Sequence, residues 1–375
     1  MAMNGHPTVG VEEEFLLVDR DSGEPVGRNR AVAQVASTHG VDLQLELTSC
    51  QVETTTAVMC TSSALRTELI RLRGIASAAA ASQRAHLLAV ALPPTVPHAF
   101  PVTPTARYRR MADEFGMLAH EQGICGCHVH VAVPSRESAI DVSNRLRPML
   151  HLFLALTANS AVYRKADSGY ASYRNMLWTR WPSSGPPPYF ESADHYDSTV
   201  RELSRSGAVL DDGMVYWDVR PSANFPTVEV RIADVPATVA ETVLLATVVR
   251  AAVMSALEAQ KRGVPAPRLE DCVLRAAHWR SARDGLDGIA VDLVDSSSTA
   301  PARILLSRLI DHLRPALESL GDYDMARAEL ARIVDQGNGA MRQRRIWCTS
   351  GNVKDVISEI AKATTDFNWG QNNPG

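Results

Sequence analysis

Four short segments of this chain alternate apolar side chains with ionisable ones. Their ionisable residues stand two positions apart: Glu12 and Glu14 in TVGVEEEFLLVD, His128 and His130 in CGCHVHVAV, Asp218 and Arg220 in VYWDVRPS, and Glu229 and Arg231 in TVEVRIAD. Residues i and i+2 of a β-strand point to the same face of a sheet. The pattern therefore predicts strands with one apolar face and one face that collects carboxylates, imidazoles and guanidinium groups.

The remaining pattern predicts two more strands and many helices. The strands are expected at 43–58, which is rich in β-branched residues, and at 86–92. Helical spacing predicts helices over 61–84, 106–121, 136–164 with a break near Pro148, 192–206, and from Pro236 to Gly263. Residues 165–190 are aromatic, bear arginines and are full of turn residues, which is typical of a long functional loop.

From residue 266 onward the pattern is helical only. Helices are expected at 268–283, 300–319, 322–336 and 352–365. Strands mixed with helices, followed by a helical last third, indicate an α+β protein. We therefore expect one catalytic α+β domain over 1–375, with 264–375 as a helical portion packed on it.

Composition narrows the classes of function. The 375 residues are 45% hydrophobic and 21% charged, and the formal net charge is -4, so nothing favours nucleic acid or an anionic membrane as a partner. The N-terminus lacks the pattern of a signal peptide, and the apolar stretch around Arg250 is expected to be a buried core helix. Six cysteines do not indicate a disulfide framework in a chain of this length, and a cytoplasmic location is expected.

The predicted polar face points to metal binding. Crowded carboxylates repel one another and lose hydration, and bound divalent cations relieve that cost. Glu46 and Glu53 in the 43–58 stretch are further candidate oxygen ligands. Many glutamates with an imidazole favour Mg²⁺ or Mn²⁺ over structural zinc. The structural alternative is a solvated edge strand at Glu12–Glu14, with histidines that only pack.

Glu229 and Arg231 also have two interpretations. They fit a cross-strand ion pair, or a metal–phosphate site in which the glutamate holds the cation and the arginine clamps phosphate oxygens. The sequence has no P-loop, no GxGxxG fingerprint and no GxSxG nucleophile elbow. A nucleotide would therefore be held by metals and arginines rather than by a glycine-rich loop.

An ordered set of motifs resembles a known family. The motifs are GVEEEF at 10–15, ARYRRMADEFG at 106–116, GCHVHV at 126–131, ASYRN at 171–175, WDVRPS at 217–222, TVEVRIAD at 227–234 and GNGAMRQR at 337–344. Together they resemble the bacterial type 2 glutamate–cysteine ligase-like family, the YbdK-type ATP-dependent carboxylate–amine ligases. The resemblance runs from about residue 8 to residue 350.

The resemblance implies a fold similar to the glutamine synthetase catalytic domain, with a curved, mostly antiparallel sheet backed by helices on one side. It implies a ligase that makes an amide through an acyl phosphate, with ATP and Mg²⁺ (or Mn²⁺) as cofactors. The expected metal ligands are Glu12, Glu14, Glu53, His128 and Glu229, whereas the role of His130 is left open. Arg231 and Glu53 form the expected catalytic set, and Arg231 contacts the γ-phosphate.

Charge and position suggest a substrate pocket beside this set. Arg174, Trp217 and Arg220 are the expected substrate-binding residues, and Arg174 is also expected to contact the nucleotide. The partners are a small carboxylate and an amine, with glutamate and cysteine as one candidate pair, and the resemblance is compatible with a homodimer. Two alternatives remain open: a guanidino-kinase-like phosphotransferase, and a nucleotide or metal sensor of the same fold without catalysis.

Overall fold

An antiparallel sheet forms the centre of the computed structural model, which describes residues 5–294 and 298–367. Within these ranges the sheet has seven strands in the order β2-β3-β1-β5-β9-β8, and β4 pairs with β1 beside this path. The strands are β1 (Val9–Asp19), β2 (Gln44–Leu45), β3 (Gln51–Thr55), β4 (Ala85–Leu88), β5 (Cys127–Ala132), β8 (Val219–Pro221) and β9 (Thr227–Val230). Two hairpins lie outside it: β6 (Val162–Tyr163) with β7 (Ala166–Asp167), and β10 (Ile289–Val291) with β11 (Thr299–Pro301).

The helices account for most of the remaining chain. In the described ranges they are α1 (Asn29–Ser37), α2 (Ser62–Ser82), α3 (Ala106–Phe115), α4 (Met117–His120), α5 (Arg136–Leu146), α6 (Leu150–Thr157), α7 (Tyr173–Trp178), α8 (Ala193–Arg205), α9 (Val239–Lys261), α10 (Asp271–Asp284), α11 (Ala302–His312), α12 (Arg314–Leu320), α13 (Tyr323–Gln336), α14 (Gly339–Ser350) and α15 (Val353–Thr364). Mixed helices with an antiparallel sheet confirm the predicted α+β class.

Strand register places the four alternating segments side by side. Glu14 of β1 lies opposite Glu53 of β3, and Glu12 lies opposite His128 of β5. On the other side of β5, His130 lies opposite Glu229 of β9, which in turn lies opposite Arg220 of β8. The predicted polar face is therefore continuous across five strands.

The opposite face of the sheet is packed against helices. Val11, Val129 and Val230 belong to one buried apolar cluster that also contains Leu244 of α9 and Leu305 of α11. The C-terminal helices thus share a core with the sheet. Helix α9 is long and apolar enough to cross a bilayer by length and composition, but 89% of its most apolar window is buried inside the protein, as expected for a core helix.

Glu13 points into this packed face and is paired there. Its carboxylate accepts hydrogen bonds from Arg73 Nε at 3.0 Å and from Thr242 Oγ1 at 2.6 Å. Arg73 also donates to the backbone carbonyls of Pro236 and Ala237, just before α9. Neither side chain of the Glu13–Arg73 ion pair is exposed. β1 is a central strand with three partners, so it is not the solvated edge strand of the structural alternative.

Several predicted boundaries were wrong. The strand expected at 43–58 is two strands, β2 and β3, separated by a turn. The helix expected at 106–121 divides at Gly116, whose φ of 53° ends α3, because helical backbone requires a negative φ. The break expected near Pro148 is confirmed, because α5 and α6 lie on either side of it, but α6 ends at Thr157 and not near 164. The loop expected at 165–190 contains the short helix α7.

The C-terminal third also differs from the all-helical prediction. It contains the β10–β11 hairpin, whose three-residue strands are too short to show alternation. It also contains helix α14, which begins in the GNGAMRQR motif and was not among the expected helices. Helix α9 begins at Val239 and not at Pro236, because Thr238 caps it by accepting a hydrogen bond from the Glu241 backbone N–H.

Candidate active site

A cavity of about 660 Å³ covers the polar face of the sheet. Six side chains on that face line the cavity, and we call this set the acidic face: Glu12, Glu14, Glu53, His128, His130 and Glu229. Arg174, Arg220 and Arg231 line the same cavity. The structure therefore brings together every candidate metal ligand and every candidate arginine named from the sequence.

Three overlapping groups of ligand atoms in the cavity are close enough to share a cation. The groups are Glu12 with His130 and Glu229, Glu12 with Glu53 and His128, and Glu14 with Glu46 and Glu53, and the ligand atoms within each group lie within 4.8 Å of one another. Carboxylate oxygens dominate each group. This donor set suits a hard cation such as Mg²⁺ or Mn²⁺.

Glu12 is held in its ionised form by the two histidines. His128 Nδ1 lies 3.0 Å from one Glu12 oxygen, and His130 Nε2 lies 3.4 Å from the other. Burial opposes ionisation, but the neighbouring imidazoles outweigh it and hold the pKa of Glu12 below its usual range. Glu12 is thus available as an anionic ligand at neutral pH.

Glu14 is anchored by backbone contact. Its carboxylate accepts a hydrogen bond of 2.6 Å from the backbone N–H of Gly126, the residue that precedes β5. A Cβ at Gly126 would lie 2.5 Å from Arg174 Nη2, so the position must be glycine for the arginine to approach. The glycine of the GCHVHV motif therefore allows Glu14 and Arg174 to reach the same part of the cavity.

Glu53 and Glu46 are the carboxyl groups of the site whose ionised form is least compensated by the protein. Burial, followed by the nearby carboxylates, raises the pKa of Glu53 well above its ordinary value. The same causes, burial first and then Glu14 and Glu12, raise the pKa of Glu46 to about 8. Carboxyl groups in this state bind a cation readily, because the cation removes the repulsion that disfavours their ionised form.

His130 supplies a further sign that the site is built for a ligand. Its Nδ1 lies 3.0 Å from Thr227 Oγ1, which fixes the ring. Its Nε2 is buried and makes no hydrogen bond to any of the described residues, although a Glu12 oxygen is 3.4 Å away. A buried nitrogen left without a partner beside carboxylates fits a metal ligand whose second nitrogen is held by the protein.

Glu229 lies between two arginines. Arg220 donates from Nε to one Glu229 oxygen at 2.9 Å, and Arg231 Nη1 donates to the other. Burial would raise the pKa of Glu229, but Arg231 and Arg220 lower it far below its usual range. Burial likewise opposes the charge on Arg231, yet Glu229 raises the pKa of this guanidinium above its normal value. Both groups are therefore charged.

The three candidate arginines differ in how many of their N–H donors already have partners within the protein. Arg220 also donates to the backbone carbonyl of Val215 at 2.6 Å, so most of its donors are engaged within the protein. Arg231 Nε and Arg174 Nε are buried and have no partner among the described residues. Arg174 is otherwise fixed by a 3.1 Å hydrogen bond to the Ile232 carbonyl. Arg231 and Arg174 are the better placed of the three to contact a bound anion.

Trp217 lies away from the cavity. Its ring packs between Phe190 and Tyr196, with ring centroids 5.1 and 5.4 Å away. Trp217 and Asp218 precede β8, which begins at Val219, so the alternation predicted for their motif does not extend to them. Asp218, which pairs with Arg220 in the sequence pattern, is also buried behind the cavity, 3.7 Å from His278 Nδ1.

The far wall of the cavity was not assigned from the sequence. Three rings form what we call the aromatic wall: Trp178, Trp181 and Tyr216, with centroids 4.7 to 6.3 Å apart. Arg107, tied to Asp211 by hydrogen bonds of 2.7 and 2.9 Å, and Gln122 also line the cavity. Arg107 and Trp178 lie in or beside motifs that carried the family resemblance, whereas nothing in the sequence singled out Gln122.

Comparison with known proteins places the chain in a family. Residues 8–359 match the model of glutamate-cysteine ligase family 2. A protein of Mycolicibacterium smegmatis named "Putative glutamate--cysteine ligase 2-3" is 65% identical over 362 residues, which is 96% of this chain and 99% of that protein.

Solved structures share the fold at low sequence identity. A glutamate–cysteine ligase from Francisella tularensis in complex with AMP has a TM-score of 0.68 at 14% identity, covering 96% of this chain and 89% of that one. A bifunctional glutathione synthetase from Pasteurella multocida has a TM-score of 0.69 at 12% identity, covering 96% of this chain and 53% of that one. The fold is that of glutamine-synthetase-like ligases. From its family match and its close relative, the chain belongs to glutamate–cysteine ligase family 2 and is a carboxylate–amine ligase, an enzyme that forms a carbon–nitrogen bond.

Proposed function

We propose that this ligase activates a carboxylate with ATP over the acidic face and then transfers the acyl group to an amine. The observation that carries the proposal is the convergence of the acidic face and Arg231 in one cavity. Oxygen-rich ligands and a buried guanidinium are the groups that phosphoryl transfer requires.

The reaction has two steps. In the first, an oxygen of the acid substrate attacks the γ-phosphorus of ATP, and the bond from that phosphorus to the ADP oxygen breaks. In the second, the amine nitrogen attacks the acyl carbon, the bond from carbon to the phosphate oxygen breaks, and the nitrogen loses a proton. The products are an amide, ADP and phosphate.

Glu12, Glu14, Glu53, His128 and Glu229 are the proposed ligands of Mg²⁺, with His130 and Glu46 as additional donors. When bound, the cations neutralise the triphosphate and the charge that develops during phosphoryl transfer. Burial, followed by the nearby carboxylates, raises the pKa of Glu53, and a bound cation would offset both effects, which supports its place among these ligands. Glu12 and Glu229 are ionised without a bound cation, because the neighbouring histidines and arginines outweigh the effect of burial, and they would anchor the set.

Arg231 is the proposed contact for the transferred phosphoryl group. Glu229 holds one end of its guanidinium, and Nε is left without a partner among the described residues. Arg220 holds Glu229 from the other side, so we propose that Arg220 positions this carboxylate rather than binding substrate itself. Arg174, fixed beside Gly126, is the proposed contact for a substrate or nucleotide anion.

Glutamate and cysteine are the substrate pair that we propose first, because the relatives' names contain them. The test supplies the protein with Mg²⁺, ATP and pairs of carboxylic acids and amines, and measures phosphate release together with product mass. Amine-dependent phosphate release and an amide mass support the proposal. Phosphorylated product that persists in the presence of amines identifies a phosphotransferase, and ATP binding without turnover across the panel identifies a sensor.

A further inference from the structure

Three polar groups at the aromatic end of the cavity are buried without partners. Gln122 and Trp181 are 4% and 2% exposed, and both line the cavity. The carboxamide nitrogen and oxygen of Gln122 and the indole nitrogen of Trp181 make no hydrogen bond to any residue in the described ranges. Arg174 Nε shares this state. Unpaired buried polar groups are costly, so their place on a cavity wall indicates that a ligand pairs with them.

The surrounding structure holds these groups in one place. Arg180 Nη1 lies 2.6 Å from a Glu121 carboxylate oxygen, and the two side chains form an ion pair. Arg180 precedes Trp181, and Glu121 precedes Gln122. This contact ties the two segments together. The Trp181 ring is fixed further by Phe115, with centroids 5.0 Å apart, and by the aromatic wall.

The part of the cavity beside His130 differs in chemistry. There, Phe225 is 58% exposed and its ring lies edge-on to His130, with centroids 6.1 Å apart. An exposed aromatic ring beside the acidic face suits a nucleobase, which binds by stacking and whose phosphates would then reach the cations. The enclosed end at Gln122 and Trp181 is therefore left for a different substrate.

The donors and acceptors of this end define that substrate. Trp181 and Arg174 offer N–H donors, which a carboxylate accepts, and Gln122 offers both an acceptor and donors. An ammonium group would donate to the Gln122 oxygen and face the aromatic wall, where cations are favoured. A carboxylate and an ammonium carried by the same carbon atom satisfy the whole set.

We propose that Gln122, Trp181 and Arg174 form a subsite for the α-amino-acid head group of a substrate. The inference rests on the proposed ligase function and deepens it. The head group has two sources: the acid substrate, held by its α-carbon end while its distal carboxylate reaches the acidic face, or the amine substrate. A site built around such pairs rejects analogues that lack either charged group.

Calorimetric titration in the presence of Mg²⁺ and a non-hydrolysable ATP analogue tests this subsite without turnover. The ligands are L-glutamate, glutarate (which lacks the ammonium), 4-aminobutyrate (which lacks the α-carboxylate) and L-2-aminobutyrate as an amine substrate that lacks a thiol. The variants are Gln122→Met and Trp181→Phe. Gln34→Met and Trp279→Phe are matched controls at exposed positions.

We expect Gln122→Met to weaken binding of an amino acid about 10- to 100-fold, the loss typical of a hydrogen bond to a charged group. Trp181→Phe should weaken it about tenfold. Glutarate, which lacks the ammonium, should lose less affinity than L-glutamate does in Gln122→Met. An effect on L-glutamate assigns the head group to the acid substrate, and an effect confined to L-2-aminobutyrate assigns it to the amine substrate.

Three results overturn the inference: wild-type protein that binds neither amino acid, amino-acid binding that matches the controls in both variants, or a loss confined to the nucleotide analogue. The proposed function fails separately. A protein that releases phosphate with acids and amines lacking this head group is still a ligase, whereas one that binds the amino acids but never consumes ATP keeps the subsite and loses the ligase assignment.

Discussion

Neighbouring glutamates on one strand have opposite fates in this protein. Glu13 faces the helices, where Arg73 and Thr242 satisfy its carboxylate and no part of it is exposed. Glu12 and Glu14 face the cavity, where other carboxylates crowd them and charge compensation is incomplete. The difference teaches that burial alone does not distinguish a structural carboxylate from a functional one. The distinguishing property is whether the protein itself supplies all the partners.

The largest effect is expected on the packed face. Glu13→Gln leaves the Arg73 guanidinium buried without its counter-charge, and breaking a buried pair in this way costs about 3–5 kcal/mol. Chemical denaturation should show this loss of unfolding free energy. The double variant Glu13→Leu with Arg73→Met should recover part of it, because no isolated charge remains. Unchanged stability of the single variant would mean that Glu13 is not structural.

On the cavity face the same substitution should have a different result. Glu53→Gln should lower ATP consumption about 100- to 1,000-fold, the scale on which loss of one preorganised electrostatic group acts. Its stability without metal should rise, because burial and then the neighbouring carboxylates raise the pKa of Glu53 and the substitution removes the cost of its charge. Steady-state kinetics and thermal melting measure the two effects. A Glu53→Gln enzyme with wild-type activity, or with a melting temperature below that of the wild type, would contradict the proposed difference between the cavity face and the packed face.

Arg231→Lys tests the guanidinium group that is proposed to contact both the metal ligand Glu229 and the phosphate. A lysine keeps the charge but lacks the planar fork of N–H donors with which an arginine binds two oxygens at once. We therefore expect about a 10- to 100-fold loss of rate with little change in melting temperature. Arg110→Lys, at an exposed position on α3, is the matched control and should leave the rate unchanged. Wild-type rates for Arg231→Lys would contradict its role in phosphate binding.

Asp218 gives the smallest effect, and it depends on pH. Burial raises the pKa of Asp218 to about 7. A carboxyl whose pKa is raised by folding contributes stability below its unfolded pKa of about 4, and that contribution is lost as pH rises through 7. Asp218→Asn should therefore stabilise the protein more at pH 8 than at pH 5. Denaturation at the two pH values measures this, and an equal effect at both would contradict it.

The acidic face could be predicted because a two-residue period is local. The alternation within single segments of sequence predicts which face carries Glu12, Glu14, His128 and Glu229. Their meeting depends on strand register, which long-range pairing sets: Glu14 lies opposite Glu53 across 39 positions of sequence. The proximity of these two glutamates was therefore predicted from the family resemblance and not from the alternating pattern.

Other features were beyond local reasoning. The partner of Glu13 lies 60 positions away in α2, in a stretch for which the sequence predicts only a helix. Gln122 is an isolated residue after a short helix, and only the cavity reveals that it has no partner. Trp217 was assigned to the substrate pocket by its charge-bearing motif, although it precedes β8 and packs in a separate aromatic cluster. The β10–β11 hairpin is too short for its pattern to be recognised.

The most direct test of the central claim is Mn²⁺ binding followed by electron paramagnetic resonance, with a non-hydrolysable ATP analogue present. The account predicts that wild-type protein and Glu13→Gln, measured where the latter is folded, bind Mn²⁺ with the same affinity, whereas Glu53→Gln binds it at least about tenfold more weakly. Equal affinity in wild type and Glu53→Gln would contradict the assignment of the acidic face as the cation site of this ligase.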